Sequence, residues 1–330
     1  MIFGFGTAAF DYRIQVADFG ANYTEKLLAK KTEMFHGGAT ANCLVQAARL
    51  GAKTAYLGKL GNDRISKAVV QALKNEKINT KMIIYDRNEY PPFNVAVYTE
   101  NSGKRIGGFL LPNSLNSIGL KDINHLSKPI QNGDLVICEI GEIPLLTVFN
   151  FIKKCKTKGA ILIADIDLAP LRQCNGGSRS LLKKIIMQLD FLIPNFTSLA
   201  DMYPKLSKKD MVKALFNRYK IPCIITAGKS GVFYTDMQGK IHCLNSLAEQ
   251  VVDSVGAGDA FHGGFIFGIA KGMNIHQAVL AGSICAAENC KKAGAREGMP
   301  RKKVFFNNFA VFSRQLSDKY QMSVDYLRKY

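Results

Sequence analysis

Near the end of the chain, glycines and carboxylates occur in a pattern that could support phosphoryl transfer. The segment Asp253-Ser-Val-Gly256-Ala-Gly258-Asp259 leads into a small-residue helix pattern from Ala260 to about Ala270. Glycines at a helix start let the backbone approach a phosphate closely, and the unpaired N–H groups of the first turn attract an anion. A carboxylate in that turn can accept the proton of an attacking hydroxyl. The same residues could instead form a turn in which Asp253 or Asp259 caps the helix.

A second polar group lies near the N-terminus and suits a ligand with several hydroxyls. Asp11 follows the first apolar run, and Gly37-Gly38 precedes a helical pattern that carries Asn42. Carboxylate and amide groups offer hydrogen-bonding atoms in fixed directions, and paired glycines permit close backbone approach to a ligand. In the alternative without a ligand, Asp11 ends a strand, the glycines form a turn, and Asn42 lies on a solvated helix face.

The elements that must position these residues alternate between strand and helix patterns. This alternation predicts a mostly parallel sheet with helices on both faces, and such sheets bind ligands beyond the carboxyl ends of their strands. The clearest strands are Ile2–Gly6, Leu135–Glu139, Ala160–Asp165, Phe191–Ile193 and Cys223–Thr226. The clearest helices are Ala41–Leu50, Ile65–Asn75, Leu145–Lys158, Ser178–Gln188 and Met211–Tyr219.

Two stretches, 12–35 and 82–111, interrupt the alternation and read as strands joined by turns, with a hairpin tip at Asn101-Ser-Gly103. They predict a small β-sheet lid. The predicted main domain comprises residues 1–11, 36–81 and 112–305, and residues 306–330 are predicted as a helical C-terminal extension. The apolar lid strand Phe93–Tyr98 could pair edge to edge with a second copy and form a homodimer, or be covered by the chain itself.

Composition indicates an ordinary folded protein. Of the 330 residues, 47% are hydrophobic and 21% charged, which favours one large α/β domain with an accessory piece. The sequence shows neither an apolar run long enough for a membrane span nor a signal-peptide pattern, so we expect a cytoplasmic protein without a membrane partner. Eight scattered cysteines without a C-x-x-C pair are expected to be reduced thiols.

The net charge of +18 would attract anions such as nucleotides, acidic sugars or nucleic acid. The lysines and arginines are spread along the chain, and their densest clusters fall on or beside predicted helices. A solvated helix face is the simpler interpretation of these clusters, so we expect no nucleic-acid partner.

Several motifs together resemble the pfkB family of carbohydrate kinases over about residues 1–305. Residues 253–261 fit the family pattern D-[TS]-x-G-A-G-D-x-F throughout. The remaining matches follow in the family's order: Gly37-Gly38-Ala-Thr-Ala-Asn42, Arg49-Leu-Gly51, Gly58-Lys-Leu-Gly61-Asn-Asp63, Gly103-Lys104-Arg105, Thr226-Ala-Gly228-Lys-Ser-Gly231, and Gly294-Ala295 before Met299-Pro300. The resemblance implies a ribokinase-like three-layer α/β/α fold with a mostly parallel central sheet and a β-sheet lid.

The resemblance also implies a role for each matching residue. Asp259 would be the catalytic base, and the N–H groups of Gly256, Ala257 and Gly258 would form the anion hole. The residues implied to contact ATP are Asn195, Thr226, Gly228, Gly231 and Ser283. Those implied to hold the sugar are Asp11, Gly37, Gly38, Asn42 and Arg105. Asp253 is implied to help bind a monovalent cation such as K⁺, as in some relatives, and Mg²⁺ would accompany ATP.

One motif departs from the family pattern. Relatives usually carry N-x-x-E after a central strand, and its glutamate organises water around Mg²⁺. Here Asn195 matches, but Ser198 replaces the glutamate, and a hydroxyl cannot supply the same charge to a metal shell. Asp201, Asp165 and Asp167 are candidate replacements.

The substrate is predicted less sharply than the reaction. The Gly-Gly-Ala-x-x-Asn form and the run from Gly258 to Gly263 are most similar to fructokinases and ketohexokinases, which predicts a ketose or a sugar acid. A nucleoside kinase is the nearest alternative, because lid aromatics such as Phe93, Tyr98 and Phe109 could stack on a base. A catalytically weak ligand-binding protein is a third reading, motivated by Ser198. Glu139 and Glu142 could contact substrate hydroxyls or be ordinary solvent-facing carboxylates. His262 could contact a ligand or be a packing residue.

Overall fold

A parallel five-stranded sheet lies at the centre of the computed structural model. The structure describes residues 1–17, 27–89, 93–99, 105–110, 114–166, 178–200 and 203–320, with the backbone alone at 105–110, 200 and 316–320. The strands are β1 (Ile2–Phe5), β2 (Ala9–Val16), β3 (Ala29–Gly37), β4 (Thr54–Leu57), β5 (Lys59–Gly61), β6 (Ile84–Asp86), β7 (Phe93–Thr99), β8 (Arg105–Leu110), β9 (Leu135–Ile140), β10 (Ile161–Ile166), β11 (Phe191–Pro194), β12 (Ile224–Thr226), β13 (Val232–Thr235) and β14 (Ile241–Leu244).

The helices follow most of the strands in the order typical of α/β proteins. They are α1 (Ala39–Arg49), α2 (Arg64–Asn75), α3 (Leu120–Leu126), α4 (Leu145–Thr157), α5 (Arg179–Ile186), α6 (Phe196–Ala200), α7 (Lys208–Tyr219), α8 (Ala257–Ala270), α9 (Ile275–Asn289) and α10 (Lys302–Tyr320).

The central sheet has the strand order β11-β10-β9-β1-β4, and its neighbouring strands are parallel. Parallel bridges from Leu192 to Cys223 and from Asn195 to Thr226 attach β12 beside β11. The antiparallel strands β13 and β14 continue outward from β12. The carboxyl ends of β1, β9, β11 and β12 therefore open toward one edge, where the sequence predicts the ligands.

Apolar side chains on the two faces of the sheet form two separate cores. In β1, Ile2 belongs to the core beneath α1, α8 and α9, whereas Phe3 and Phe5 belong to the core beneath α4, α5 and α7. This alternation follows from the period of two in a strand. Helices thus cover both faces of the sheet, and the predicted three-layer α/β/α architecture is confirmed.

A second sheet, with the strand order β3-β2-β7-β8, forms the lid sheet beside the main layers. Its first two strands, β2 and β3, span Ala9 to Gly37, whereas the sequence predicts 12–35. Residues 9–11 and 36–37 belong to the sheet because they continue the antiparallel pairing of β2 with β3. Strand β6 lies within the predicted lid range but pairs with β5 instead, where the Lys59 ammonium lies 2.9 Å from the Asp86 carboxylate. The predicted tip at 101–103 lies outside the described residues.

Of the two expectations for Phe93–Tyr98, the structure favours cover by the chain itself over edge-to-edge pairing with a second copy. Strand β7 pairs with β2 on one side and with β8 on the other, so its backbone groups are already used within the sheet. Any pairing of this sheet with a second copy would have to use β3 or β8.

Helix α10 begins at Lys302, four residues before the predicted extension, and packs into the main body. Phe305 and Phe309 on this helix are almost completely buried in the core that α8 and α9 share. Within the described part of the chain, no helix is both long and apolar enough to cross a membrane.

Candidate active site

A cleft of about 700 Å³ lies between the lid sheet and the carboxyl ends of the central strands. The lid sheet contributes Asp11, Tyr12, Arg13 and Asn94, among others. The main layers contribute Gly38, Asn42, Glu142, Asn195, Asp253, Gly256, Gly258 and Asp259, together with the segment Ala293–Ala295. The cleft therefore brings together most of the residues that the sequence proposes for substrate binding and catalysis.

Asp259 lies in the first turn of α8 and is partly accessible from the cleft. The helix begins after Gly256, whose φ of 74° is in the left-handed region, and a Cβ at this position would clash with the carbonyl oxygen of Ala295. The amide Nδ2 of Asn42 donates to Oδ2 of Asp259 over 2.7 Å. This bond fixes the orientation of the carboxylate that would receive a proton.

Gly258 is exposed to the cleft, and a Cβ at this position would meet no atom within 4 Å. The packing of the protein therefore does not require glycine here. The backbone around Gly258 instead leaves space at a helix N-terminus, where an anion is stabilised by first-turn N–H groups and the helix dipole. The Ala257 amide donates to the Ser254 carbonyl over 3.2 Å in this structure.

Arg296 is a site residue that the sequence analysis missed. It is buried, its Nε donates to Oδ1 of Asn42, and its Nη2 donates to the carbonyl of Gly37 over 2.7 Å. Burial lowers the pKa of the guanidinium to about 10, against the opposing effect of Asp11, so the group stays cationic at neutral pH. Arg296 thus holds the amide that orients Asp259.

The sequence signal for Arg296 was its position directly after Gly294-Ala295 in the closing motif. That motif identifies a segment near the site but does not specify what a third residue would contact. The contact joins positions 254 residues apart in the chain, and only the folded structure reveals it.

Asp11 lies at the lid side of the cleft, as predicted for a sugar-binding carboxylate. Nδ2 of Asn94 donates to its Oδ1 over 3.0 Å. A Cβ at Gly37 would clash with the Asp11 carboxylate, and Gly38 has a φ of 87° with Thr7 and Ala8 packed against it. The backbone therefore requires glycine at 38, whereas the absence of a side chain at Gly37 leaves the space that the Asp11 carboxylate occupies.

The two glutamates near the end of β9 have different surroundings. Glu139 is buried, and it accepts hydrogen bonds from the amide and hydroxyl of Thr7 and from the hydroxyl of Thr40. The Thr7 hydroxyl oxygen in turn accepts from the Ala39 amide at the start of α1. Glu139 thus supports the helix that carries Asn42, whereas Glu142 lines the cleft and can meet a ligand.

Asp253 does not fit a cation site in this structure. Its Oδ2 lies 3.3 Å from the Arg13 guanidinium and accepts from the Gly294 amide, and its Oδ1 accepts from the Val255 amide. A monovalent cation on this carboxylate would compete with a guanidinium that already neutralises its charge. In this structure the Asp253 carboxylate is therefore the partner of Arg13 rather than a ligand for K⁺.

The predicted nucleotide residues lie beside the cleft at the edge formed by β11 and β12. Asn195 lines the cleft and is bridged to Thr226, and Gly228 is exposed on the turn that follows. Gly231 has a φ of 80°, and a Cβ there would clash with the Leu244 carbonyl. The glycine at 231 is therefore required for packing, while Gly228 is open to a ligand.

Several predicted residues are not brought to the cleft by the described structure. Ser283 is buried and donates to the Val279 carbonyl of its own helix, and Ser198 is also buried. The Arg105 side chain, Asp167 and Asp201 lie outside the described residues. Roles for Ser283 and Arg105 in ligand binding stay predictions.

His262 and Asp165 form a buried pair below the cleft. Nδ1 of His262 lies 3.4 Å from Oδ2 of Asp165, and Nε2 lies 3.3 Å from the Ile193 carbonyl. Burial lowers the pKa of His262 to about 4. A neutral imidazole at 4% exposure supports the packing interpretation rather than ligand contact.

Comparison with known proteins gives consistent similarities over most of the chain. The model of the pfkB family carbohydrate kinases matches residues 1–302. The chain is 26% identical over 281 residues to a ribokinase from Lactococcus lactis, which covers 85% of this chain and 87% of the relative. It is 24% identical over 300 residues to 5-dehydro-2-deoxygluconokinase 1 from Bacillus cereus, with coverages of 86% and 89%.

Among solved structures, Arabidopsis thaliana ribokinase complexed with ribose and ATP is similar with a TM-score of 0.77 at 20% identity. The similarity covers 93% of this chain and 98% of the other. At this identity the likeness shows a shared fold. The narrower expectation that fructokinases and ketohexokinases are the nearest members stays a prediction.

Proposed function

Because this chain belongs to the pfkB family of carbohydrate kinases, we propose that Asp259 deprotonates a sugar hydroxyl as that oxygen receives the γ-phosphate of ATP. The chain is a phosphotransferase that acts on a sugar hydroxyl. The observation that carries the proposed mechanism is the position of Asp259 in the first turn of α8, held by Asn42 and open to the cleft.

The proposed reaction needs little chemistry beyond positioning and charge stabilisation. The sugar binds between Asp11 and Asn42, with its reacting hydroxyl toward Asp259. The carboxylate accepts the hydroxyl proton, the oxygen attacks the γ-phosphorus, and ADP leaves with the electrons of the broken bond. The N–H groups at Gly256, Ala257 and Gly258 stabilise the negative charge of the transferring group. The Ala257 amide would exchange its bond to the Ser254 carbonyl for one to the phosphoryl group.

ATP is proposed to enter along the edge formed by β11 and β12, where Asn195, Thr226 and Gly228 are close together. Mg²⁺ would supply charge neutralisation to the phosphates and fits a cleft with oxygen donors, since this ion keeps several waters and needs few protein ligands. Oδ1 of Asn195 already accepts from the amide and hydroxyl of Thr197. Asn195 would therefore contact Mg²⁺ through water.

The charge of the described cleft lining favours a ketose over a sugar acid within the proposed substrate class. Asp11, Glu142 and Asp259 supply carboxylates, and the Arg13 guanidinium is paired with Asp253. A substrate carboxylate beside these groups would be repelled, whereas neutral hydroxyls would find acceptors. Because the chain is similar to a 5-dehydro-2-deoxygluconokinase, a sugar acid is included among the substrates to be tested.

The proposal is tested with a substrate panel of ATP and Mg²⁺ together with fructose, ribose, fructose 6-phosphate, 5-dehydro-2-deoxygluconate, adenosine and inosine. We expect a phosphorylated neutral sugar, and a loss of about 10²–10⁴ in kcat for Asp259→Asn. Phosphorylation of inosine or adenosine instead would establish the nucleoside kinase alternative. Binding of ATP and sugar without turnover by the wild-type protein would establish a ligand-binding protein.

A matched variant separates loss of the base from the loss of a first-turn carboxylate as such. Asp210→Asn changes a carboxylate in the first turn of α7, which accepts a hydrogen bond from the hydroxyl of the N-cap residue Ser207 and lies outside the cleft. We expect this variant to keep the wild-type kcat. An Asp259→Asn variant that retains full activity would contradict the assignment of the base.

A further inference from the structure

Two histidines and an aspartate converge at one end of the β13–β14 hairpin, away from the cleft. Asp236 begins the hairpin turn, His242 lies on β14, and His276 lies in the first turn of α9. One potential ligand atom from each side chain lies within 4.8 Å of the other two. We propose that Asp236, His242 and His276 form a binding site for a divalent transition-metal ion of the Zn²⁺ type.

The donor set fits such an ion and not Mg²⁺ or Ca²⁺. Two imidazoles and one carboxylate are a common ligand set for Zn²⁺ and for Fe²⁺, whereas Mg²⁺ and Ca²⁺ prefer oxygen donors throughout. With metal–ligand distances of about 2.0–2.2 Å, tetrahedral ligands lie about 3.3–3.6 Å apart. Atoms already within 4.8 Å of one another need only small side-chain movements to reach that spacing.

The carboxylate of Asp236 is held by its own turn. Oδ1 accepts from the amides of Gln238 and Lys240, at 3.0 and 2.9 Å. Oδ2 lies 2.9 Å from Nε2 of His242. The hydrogen bonds to Oδ1 therefore fix the carboxylate, and Oδ2 is directed at the His242 imidazole that would bind the same metal ion. Supporting hydrogen bonds orient metal ligands in this way.

The two imidazoles are also held in place. The Tyr234 hydroxyl lies 2.9 Å from Nδ1 of His276, and the Tyr234 ring stacks against the His242 ring at a centroid distance of 5.4 Å. The rings of His242 and His276 meet edge to face at 4.6 Å. Such packing limits the rotamers of both histidines and reduces the entropy lost when a metal binds.

Metal binding requires an ionised carboxylate and neutral imidazoles. Partial burial acts to raise the pKa of the Asp236 carboxyl, but hydrogen bonds from His242 and the turn amides outweigh it and lower the pKa. Burial lowers the pKa of His276, with a further contribution from His242. Asp236 and Lys240 also face His276, with opposite effects on this pKa.

The proposed metal site lies away from the cleft in which the reaction is proposed to occur. Strand β13 runs from Val232, which pairs with Thr226 near the nucleotide edge, to Thr235 beside the proposed site at its far end. The side chains of Asp236 and His242 are each 14% exposed, so an ion could enter and keep a water ligand. A bound ion would tie the hairpin to α9, and α9 packs along α8.

The test uses the untagged protein, treated with a chelator and dialysed against Zn²⁺, Co²⁺ or Mg²⁺. We expect about one Zn²⁺ per chain, a rise of about 2–5 °C in Tm at saturating Zn²⁺, and no rise with Mg²⁺. Bound Co²⁺ should show the visible absorption of a four- or five-coordinate nitrogen and oxygen site. Both His242→Gln and His276→Gln should weaken Zn²⁺ binding at least tenfold, by analogy with the loss of metal-site contacts.

Two matched variants test whether the ion binds to other groups instead. Cys243→Ser removes the thiol of the residue next to His242. This thiol projects to the opposite face of β14 from His242, because neighbouring strand residues alternate. Asp259→Asn alters the cleft. Both should bind Zn²⁺ as the wild type does. Absence of Zn²⁺ binding by the wild type, unchanged binding in both folded histidine variants, or loss of binding in Cys243→Ser or Asp259→Asn would overturn the proposal.

Discussion

At the scale of single residues, Gly258 occupies a position where the protein leaves more room than its own packing requires. We predict that Gly258→Ala keeps or raises Tm, because alanine is favoured over glycine in a helix by up to about 1 kcal/mol. The added methyl would project toward the phosphoryl position, and a misplacement of this size can cost about 10²-fold in rate. The measurement is kcat beside a thermal melt.

Gly119 provides a control for the glycine substitution. It also has open space around its Cβ position and a negative φ of −99°, and it precedes α3 outside the cleft. Gly119→Ala should leave kcat unchanged. Equal kcat values for Gly258→Ala and the wild type would show that no ligand group approaches this position.

Arg296 is predicted to act as a positioning residue. Arg296→Lys keeps a positive charge but cannot donate to Asn42 and to the Gly37 carbonyl with the geometry of a guanidinium. We expect kcat to fall about 10–100-fold with a smaller change in the KM for ATP, because Asn42 would no longer hold Asp259. Arg296→Met should also lose about 1–3 kcal/mol of stability for each buried acceptor left without its donor.

The control for Arg296 is Arg301→Lys, five residues further along the same segment. The Arg301 side chain is 73% exposed and lies 3.9 Å from Glu76. An exposed pair of this kind contributes about 0–1 kcal/mol, so activity and Tm should stay near the wild-type values. A kcat for Arg296→Lys equal to that of Arg301→Lys would contradict the positioning role.

These residues show what sequence reasoning can reach. Asp259 and Asn42 were predicted from short local motifs and Asp11 from its position after the first apolar run, and the structure places all three at the cleft. Arg296 was missed because its importance depends on contacts with Gly37 and Asn42, far away in the chain. A local pattern carries information about residue type and spacing, but not about which distant group a side chain meets.

At the scale of elements, helix α8 is connected to the central sheet through a buried histidine. The pKa of His262 is lowered to about 4 by burial, while an unfolded histidine titrates near 6.5. Between these values the unfolded chain binds the additional proton, so acidification favours unfolding. The contribution of the neutral His262 to the free energy of unfolding is fully present above about pH 6.5. It is lost progressively as the pH falls toward 4, and the total loss is up to about 3 kcal/mol.

We therefore predict that the Tm of the wild type falls more steeply between pH 6.5 and 4.5 than the Tm of His262→Gln. Asp165 is the ionisable group that faces the imidazole, 3.4 Å away, and it stays in both proteins. His125→Gln is the control, because His125 is exposed on α3. Parallel pH profiles for wild type and His262→Gln would contradict this account of α8.

The elements themselves were predicted better than their pairing. Strand β9 was predicted as Leu135–Glu139 and observed as Leu135–Ile140, because a buried parallel strand is a continuous apolar run in the sequence. The lid was less predictable. Phe93 pairs with Phe10, and β6 pairs with β5 rather than with the lid sheet. Strand pairing depends on contacts between distant segments that no local period encodes.

At the scale of the whole molecule, one ion pair joins the lid sheet to the main layers across the cleft. Arg13 on β2 lies 3.3 Å from Asp253, just before the anion-binding turn, and its guanidinium carbon lies 4.0 Å above the Tyr98 ring centroid. Two amides of the main layers, those of Val255 and Gly294, also donate to the Asp253 carboxylate. The pair therefore connects the position of the lid sheet to the turn that would bind the phosphoryl group.

We predict that Arg13→Gln raises the KM for the sugar several-fold and increases ATP hydrolysis without sugar, because a less firmly held lid sheet admits water to the cleft. Stability should change by no more than about 1 kcal/mol, since the pair is partly exposed. Lys31→Gln is the matched control, because Lys31 lies on the same sheet and pairs with Glu33 at the surface, 60% exposed. If Arg13→Gln and Lys31→Gln have the same ratio of ATP hydrolysis to sugar phosphorylation, the Arg13–Asp253 pair does not hold the lid sheet over the cleft.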